Sequence, residues 1–254
     1  MLFLKNDVYI GRSLRHYGEY AQLELDFLEA LIEPGHWVVD GGANIGCHTR
    51  MMARKVGPNG GVLAFEPQRF VFQLLCANLA LLDLQQVQAL PVALGDRDGE
   101  SSLQLPDYDR EDNFGGIPLG PGQPVEMRRL DSLELPQCHL IKLDLEGCEL
   151  RALQGARATL QRHRPLLYVE NDRPEQSHAL LNWLYGQGYR CFWHRTPLFN
   201  PDNFAGRSDN VLGQVHSHNL LGWPEERPYE LELVEVNISE RTLSTTPSAS
   251  PRCK

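Results

Sequence analysis

Residues 38–49, VVDGGANIGCHT, lead an apolar run into an acid, a pair of glycines and a segment of helical character. Gly41 and Gly42 permit backbone angles closed to other residues and let a ligand approach the main chain. The amides opening the following helix would point at that ligand. Asp40, Gly42, Asn44 and Gly46 recur at every second position, with Ala43 between them. That spacing suits a nucleoside carrying an amino-acid tail and no phosphate. Asp40 would accept from the tail's ammonium group, directly or through water. A dinucleotide loop needs G-x-G-x-x-G; here Asn44 and Cys47 stand where its second and third glycines belong.

Glu66, in VLAFEPQ, ends the next apolar run at about the distance where an acid meets ribose hydroxyls. Its carboxylate can accept both O–H groups and repel a 2′-phosphate; an ordinary helix-capping acid is the alternative. Pro67 suits the first turn of a helix. Val92 and Ala93, in LPVALGDRDG, would end a third strand where the base should lie, or belong to a plain buried strand before an Asp-Gly turn.

The elements that must position these residues alternate along the chain. A helix is expected over 21–32, with Leu23, Phe27, Leu28 and Leu31 on one face. Strands are expected at 37–42, 61–66, 87–94, 138–144, 166–170 and 189–194, and helices at 44–56, 68–82, 147–161 and 175–187. Residues 1–20 hold a short β-like run, 95–136 a hairpin or flexible excursion, and 211–217 a last strand. Strand and helix in this rhythm argue for βαβ units and a parallel sheet. Three parts follow: an N-terminal segment 1–36, a core 37–225 and an extension 226–254, disordered from about 240.

Apolar residues make up 42% of 254, enough for a sizeable core. The net charge of -9 disfavours nucleic acid, which is gripped by Lys and Arg. Six scattered cysteines form no C-x-x-C pair or zinc spacing and fit reduced thiols, hence a cytoplasmic protein. No signal peptide and no membrane span are expected. Oligomeric state is open.

With these residues in view, the chain resembles the FkbM family of S-adenosylmethionine-dependent methyltransferases over about residues 5–225. The motifs are VVDGGANIGCHT, LAFEPQ, RRLDSL, LIKLDLEGCELRALQGA and RPLLYVEND. Gly41 departs from the family's more usual β-branched residue. The resemblance implies a Rossmann-like class I fold, a mostly parallel seven-stranded sheet with helices on both faces. It implies S-adenosylmethionine as cofactor and O-methylation of a sugar, glycan or small metabolite. It also implies that Asp40, Gly42, Asn44 and Gly46 contact the methionine end, that Glu66 contacts the ribose, and that the segment holding Tyr17 and Glu24 packs over the cofactor. An NAD(P)-dependent oxidoreductase and a cofactor-binding module without activity are the rival readings.

Methyl transfer is an in-line displacement; for a hydroxyl acceptor, a base must also take the proton. Asp144 and Glu146, and Glu170 with Asn171, follow apolar runs and should reach the ligand edge of the sheet, although strand ends carry polar residues anyway. Asp144, Glu170 and Asn171 also resemble the acid, acid, amide set by which metal-dependent O-methyltransferases hold Mg2+; the family resemblance does not require one. His194 is another candidate base. Asn200, Asn203 and Asn210 either bond acceptor hydroxyls or shape turns.

Overall fold

The computed structural model describes residues 1–229 and 231–236. The tail from 240, expected to be disordered, and Cys253 lie outside the described residues.

Eight strands form one sheet, whose centre is parallel. In chain order they are β1 (Trp37–Gly41), β2 (Gly61–Phe65), β3 (Val87–Leu90), β7 (Leu140–Leu143), β8 (Leu166–Glu170), β9 (Tyr189–Pro197), β10 (His216–Pro224) and β11 (Val234–Glu235). Their spatial order is β11-β9-β10-β8-β7-β1-β2-β3. All pairs from β3 through β8 are parallel; β10 is antiparallel to both β8 and β9, and β11 to β9. The two-residue β11 raises the expected seven strands to eight. From β1 the chain winds outward to β2 and β3, then crosses back to β7 on the other side. The carboxyl end of β1 is therefore a topological switch point, where open α/β sheets bind ligands.

Helices α1 (Ile10–Tyr17), α2 (Gln22–Leu31), α3 (Cys47–Val56), α4 (Arg69–Leu81), α5 (Glu149–Gln154), α6 (Arg157–His163) and α7 (Pro174–Gly186) surround the sheet. One core joins Val39, Phe65, Ile141, Leu143 and Val169 to Leu153, Leu160 and Leu184. Another joins Leu28 and Ile32 to Met52, Val56, Val62 and Tyr168.

Several elements depart from expectation, each for a local or tertiary reason. The β-like run that opens residues 1–20 makes one isolated bridge, Asp7 to Asp112, and residues 10–17 are helical: Asp7 Oδ1 accepts the N–H groups of Tyr9 and Gly11, and Gly18 ends the helix at φ 76°. In α2 the buried residues are Glu24, Leu25 and Leu28, so the inward face is rotated and carries a carboxylate. The strand expected at 87–94 breaks at Pro91, which has no N–H to donate. Ala93–Leu94 (β4) instead joins Gly99–Leu103 (β5) and Gln123–Arg128 (β6) in a second sheet, ordered β4-β6-β5. The helix expected over 147–161 is split. Asp131, on a remote 3-10 turn, accepts the N–H groups of Ala158 and Thr159 and so starts α6 afresh. The strand expected at 211–217 runs 216–224 instead, and β11 follows it. Among the described residues no helix is long and apolar enough to cross a membrane.

Candidate functional site

A cleft of about 280 Å³ opens at the carboxyl edge of β1, β2, β7 and β8. On one side it is walled by the loop after β1 and on another by Glu66 after β2. The loop is a compact bend. Gly42 lies at φ 73°, where an added Cβ would stand 1.8 Å from the Asp144 carbonyl oxygen. Asn44 lies at φ 48° and bonds its own loop, Oδ1 accepting the Ile45 N–H at 2.7 Å. Gly46, at φ 92°, opens α3.

Glu66 ties the two walls together. It accepts the N–H of Asn44 at 3.0 Å and that of Gln68 at 2.8 Å. Burial pushes its carboxyl up to about 7, against the pull of those two N–H groups. Gln68 in turn donates to the Phe114 carbonyl, which draws the excursion 95–136 over the cleft. Asn113, Gly115, Ile117 and Leu119 of that excursion line it.

The expected residues divide into those that reach the cleft and those that do not. Gly42, Ala43, Asn44, Glu66, Pro67, Val92, Ala93, Glu24, Asp144 and Glu170 line it together. Asp40, Gly41, Gly46, Tyr17, Asn171 and His194 are not among its lining residues. Asp40 is fully buried behind the loop: Thr49 donates to its Oδ2 at 2.6 Å, and Lys142 Nζ is 3.2 Å from its Oδ1. Gly41 is a packing residue, with Leu143 Cδ2 at 2.7 Å from where its Cβ would be. Tyr17 donates to the Asp209 carbonyl and accepts from the Val211 N–H, which anchors the loop after β9.

His194 is also turned inward. Its Nδ1 is 2.8 Å from the Tyr168 hydroxyl, its ring stacks on Phe27, and burial drives its pKa down to about 4. That environment disfavours the base expected from sequence. The loop asparagines bond the protein itself: Asn203 donates to the Asn200 and Arg207 carbonyls and Asn210 to the Gly213 carbonyl, within the loop, and Asn200 donates to the Glu19 carboxylate between α1 and α2.

At the other side of the cleft the turn 144–147 presents two acids, Asp144 and Glu146, beside Glu170 at the end of β8. Glu149 Oε1 accepts the N–H groups of Leu145 and Gly147, which lets Glu146 adopt φ 54°. Asp144, Glu146 and Glu170 offer carboxylate oxygens within 4.8 Å of one another. Asn171, expected in this set, points away and donates to Ser177 Oγ at 2.8 Å. Arg173 pairs with the set, 2.6 Å from Glu146 and 3.6 Å from Glu170. Burial first, and then the Asp144 and Glu146 charges, hold the Glu170 carboxyl well above the usual range. A carboxyl in that state donates a hydrogen bond rather than taking a proton. Burial and Asp144 also push Glu146 up to about 7.

Sequence reasoning passed over Lys142, His48 and Asn219, which line the cleft. His48 Nε2 and Asn219 Nδ2 are 3.0 Å and 3.2 Å from the two oxygens of buried Glu24. A charged residue inside the apolar run LIKL was the one available signal for Lys142.

Against known proteins, the family model described as the methyltransferase FkbM domain matches residues 40–191, more than half of the chain. Among curated proteins the chain is similar to methyltransferase sdnD of Sordaria araneosa, at 30% identity over 47% of this chain and 60% of that one. It is similar also to methyltransferase 1 of Beauveria bassiana, at 29% identity over 47% of this chain and 57% of that one. The chain thus spans less than two thirds of the length of either relative. Among solved structures it resembles methyltransferase FkbM from Methylobacillus flagellatus, with TM-score 0.56 and 19% identity over 84% of this chain and 51% of that one. It resembles precorrin-6y C5,15-methyltransferase from Geobacter metallireducens with TM-score 0.52 and 11% identity, over 79% and 87%. At these identities the likeness is one of fold, and that fold is the Rossmann-like class I methyltransferase fold.

Proposed function

The chain belongs to the FkbM methyltransferase domain family, and from that premise we propose that it is a methyltransferase that binds S-adenosylmethionine in the cleft and methylates a hydroxyl of a small molecule or glycan. The observation that carries the reading is the shared wall made by Asn44 and Glu66. A glycine bend at the switch point and a carboxylate ending the next strand face one space and are hydrogen-bonded to each other. The donor set fits the group. Glu24, Glu66, Asp144, Glu146, Glu170 and Asp172 line the cleft against one lysine, and such a lining suits a sulfonium bearing an ammonium. It does not suit the pyrophosphate of NAD.

The bound cofactor supplies an electrophilic methyl group. The remaining work belongs to the chain. Glu66 accepts from the ribose hydroxyls, and its ionisation near neutrality leaves both oxygens able to do so. The main chain at Gly42, Ala43 and Asn44 receives the methionine end. Pro67, Val92 and Ala93 border the base. Asp144, whose side chain is 41% exposed and whose Oδ2 lies 3.7 Å from Lys142 Nζ, is the carboxylate that takes the acceptor's proton. Protonated Glu170 donates to the acceptor oxygen and orients it. Arg173 already pairs Glu146 and Glu170, so no divalent cation is required.

Isothermal titration with S-adenosylhomocysteine, S-adenosylmethionine and NAD tests the cofactor. Binding of the first two and not of NAD is expected; binding of NAD alone would overturn the reading. Incubation with methyl-labelled S-adenosylmethionine and a panel of polyols, phenols, amines and glycans tests the acceptor. Label appearing only in amines would remove the hydroxyl assignment. Cofactor binding with no label in any fraction, cell extract included, would leave a binding module.

A further inference from the structure

We infer that Lys142 is a positioning residue that locks the glycine bend to the acidic turn, so that the methionine end of the cofactor meets a preformed surface. The inference rests on the cofactor reading above and goes beyond it, since that reading gives Lys142 no part.

Lys142 stands in β7, all four of whose residues are buried. It is itself only 2% exposed, yet it lines the cleft. Parallel register puts Asp40 of β1 directly beside it, so the two side chains leave the sheet on the same face. Its Nζ lies 3.2 Å from Asp40 Oδ1, 3.7 Å from Asp144 Oδ2 and 3.1 Å from the carbonyl oxygen of Gly42. One ammonium therefore joins the end of β1, the first residue of the bend and the first acid of the turn after β7.

A buried lysine that served only to neutralise Asp40 would need one partner. Asp40 is already held on its other side by Thr49. The contact with the Gly42 carbonyl does different work. Gly42 stands at φ 73° with the Asp144 carbonyl packed against it, so its peptide has little room. Pulling its carbonyl toward Lys142 fixes the orientation of the peptide that follows, whose N–H belongs to Ala43. The Ala43 and Gly42 N–H groups both donate to the Phe65 carbonyl, which docks the bend on β2 just before Glu66. Lys142 and Glu66 thus brace the same bend from opposite sides, the first by a carbonyl and the second by the N–H of Asn44. Prepaid ordering of this kind appears as ligand affinity.

The test compares two ligands that share the adenosine half and differ in the amino-acid tail: S-adenosylhomocysteine and 5′-methylthioadenosine. Calorimetric affinities are measured for wild type, K142M, D40N and the double variant D40N/K142M. The double variant removes both charges and serves if Asp40 alone, left unpaired, prevents K142M from folding. Near-ultraviolet circular dichroism reports that each variant is folded. The expected result is at least a tenfold loss of S-adenosylhomocysteine affinity in K142M or the double variant. Methylthioadenosine should stay within about threefold, and D40N alone should lose less than the lysine variants. Equal losses for both ligands would show a general structural role and overturn the inference. So would a folded lysine variant that binds S-adenosylhomocysteine as wild type does. Failure of wild type to bind S-adenosylhomocysteine at all would instead sink the cofactor reading, which keeps the two outcomes apart.

Discussion

The carboxylate of Glu66 accepts the backbone N–H of Asn44 at 3.0 Å, and this bond joins the ends of two neighbouring parallel strands across the mouth of the cleft. Asn44 sits at φ 48°, a conformation asparagine tolerates better than most residues. The bond holds the bend in place, and the same carboxylate faces the ligand space. Under the proposed function, structure and recognition would therefore meet in one side chain.

Glu66 should make cofactor affinity depend on pH. Burial raises its pKa from 4.5 to about 7. In the free protein its ionisation thus costs stability as pH rises through that window: the contribution is full below 4.5 and lost above about 7. Hydroxyl donors of a bound ribose favour the ionised form. S-adenosylhomocysteine affinity should therefore rise between pH 6 and 8. E66Q, which keeps the shape, should bind about tenfold more weakly, of order 1.4 kcal/mol, with a flatter pH profile. Calorimetry across that range checks both, and a steep profile surviving in E66Q would exclude this residue as the titrating group.

Substituting the bend should be costly where backbone lies close. G42A brings a methyl group to 1.8 Å from the Asp144 carbonyl oxygen, at a φ disfavoured for alanine. Destabilisation of about 2–4 kcal/mol is expected, together with loss of cofactor binding. G46A is also at a left-handed φ, 92°, but it meets a side-chain methyl, Leu75 Cδ1 at 2.8 Å, rather than backbone. Its loss should be smaller. Urea denaturation of the two variants measures the order, and a G46A loss equal to that of G42A would contradict it.

His194 should matter for stability and not for the cleft. Its pKa is driven down to about 4 by burial, so the folded state prefers the neutral ring. The stability it contributes is full above 6.5 and is lost as pH falls toward 4. The loss approaches roughly 3 kcal/mol in the wild type relative to H194Q. Stability curves of the two proteins should converge on acidification, while S-adenosylhomocysteine affinity at pH 7.5 stays within about twofold. A larger loss of affinity in a folded H194Q would return this residue to the site.

The acidic turn should work without added metal. Arg173 stands 2.6 Å from Glu146 and 3.6 Å from Glu170, and Lys142 stands 3.7 Å from Asp144, so each of the three acids already has a cationic neighbour. Methyl transfer should proceed equally in EDTA and in millimolar Mg2+. Activity abolished by EDTA and restored by Mg2+ would show that the guanidinium yields its place to an ion.

What the sequence by itself determined is local. The period of apolar residues marked most strands and helices, because burial on one face leaves a spacing of two or near four whatever the neighbours are. The glycine bend and Glu66 were legible in the same way: left-handed backbone favours glycine and asparagine, and a strand that stops before proline delivers its last residue to the sheet edge. Tertiary structure decided the partners. Asp40 and Lys142 stand side by side only because the chain crosses from β3 back to β7, which no spacing along a separation of 102 residues records. Helix α6 starts where Asp131 caps it from a distant turn, and the strand expected at 87–94 gives its last two residues to another sheet. Glu146, not Asn171, completes the acidic set because Glu149 folds the turn that aims it. His194 and the loop asparagines had the right chemistry by residue type, but the packing turned their polar atoms toward the protein. Residue type fixes what a side chain can do; the direction it faces is set by neighbours far away in the chain.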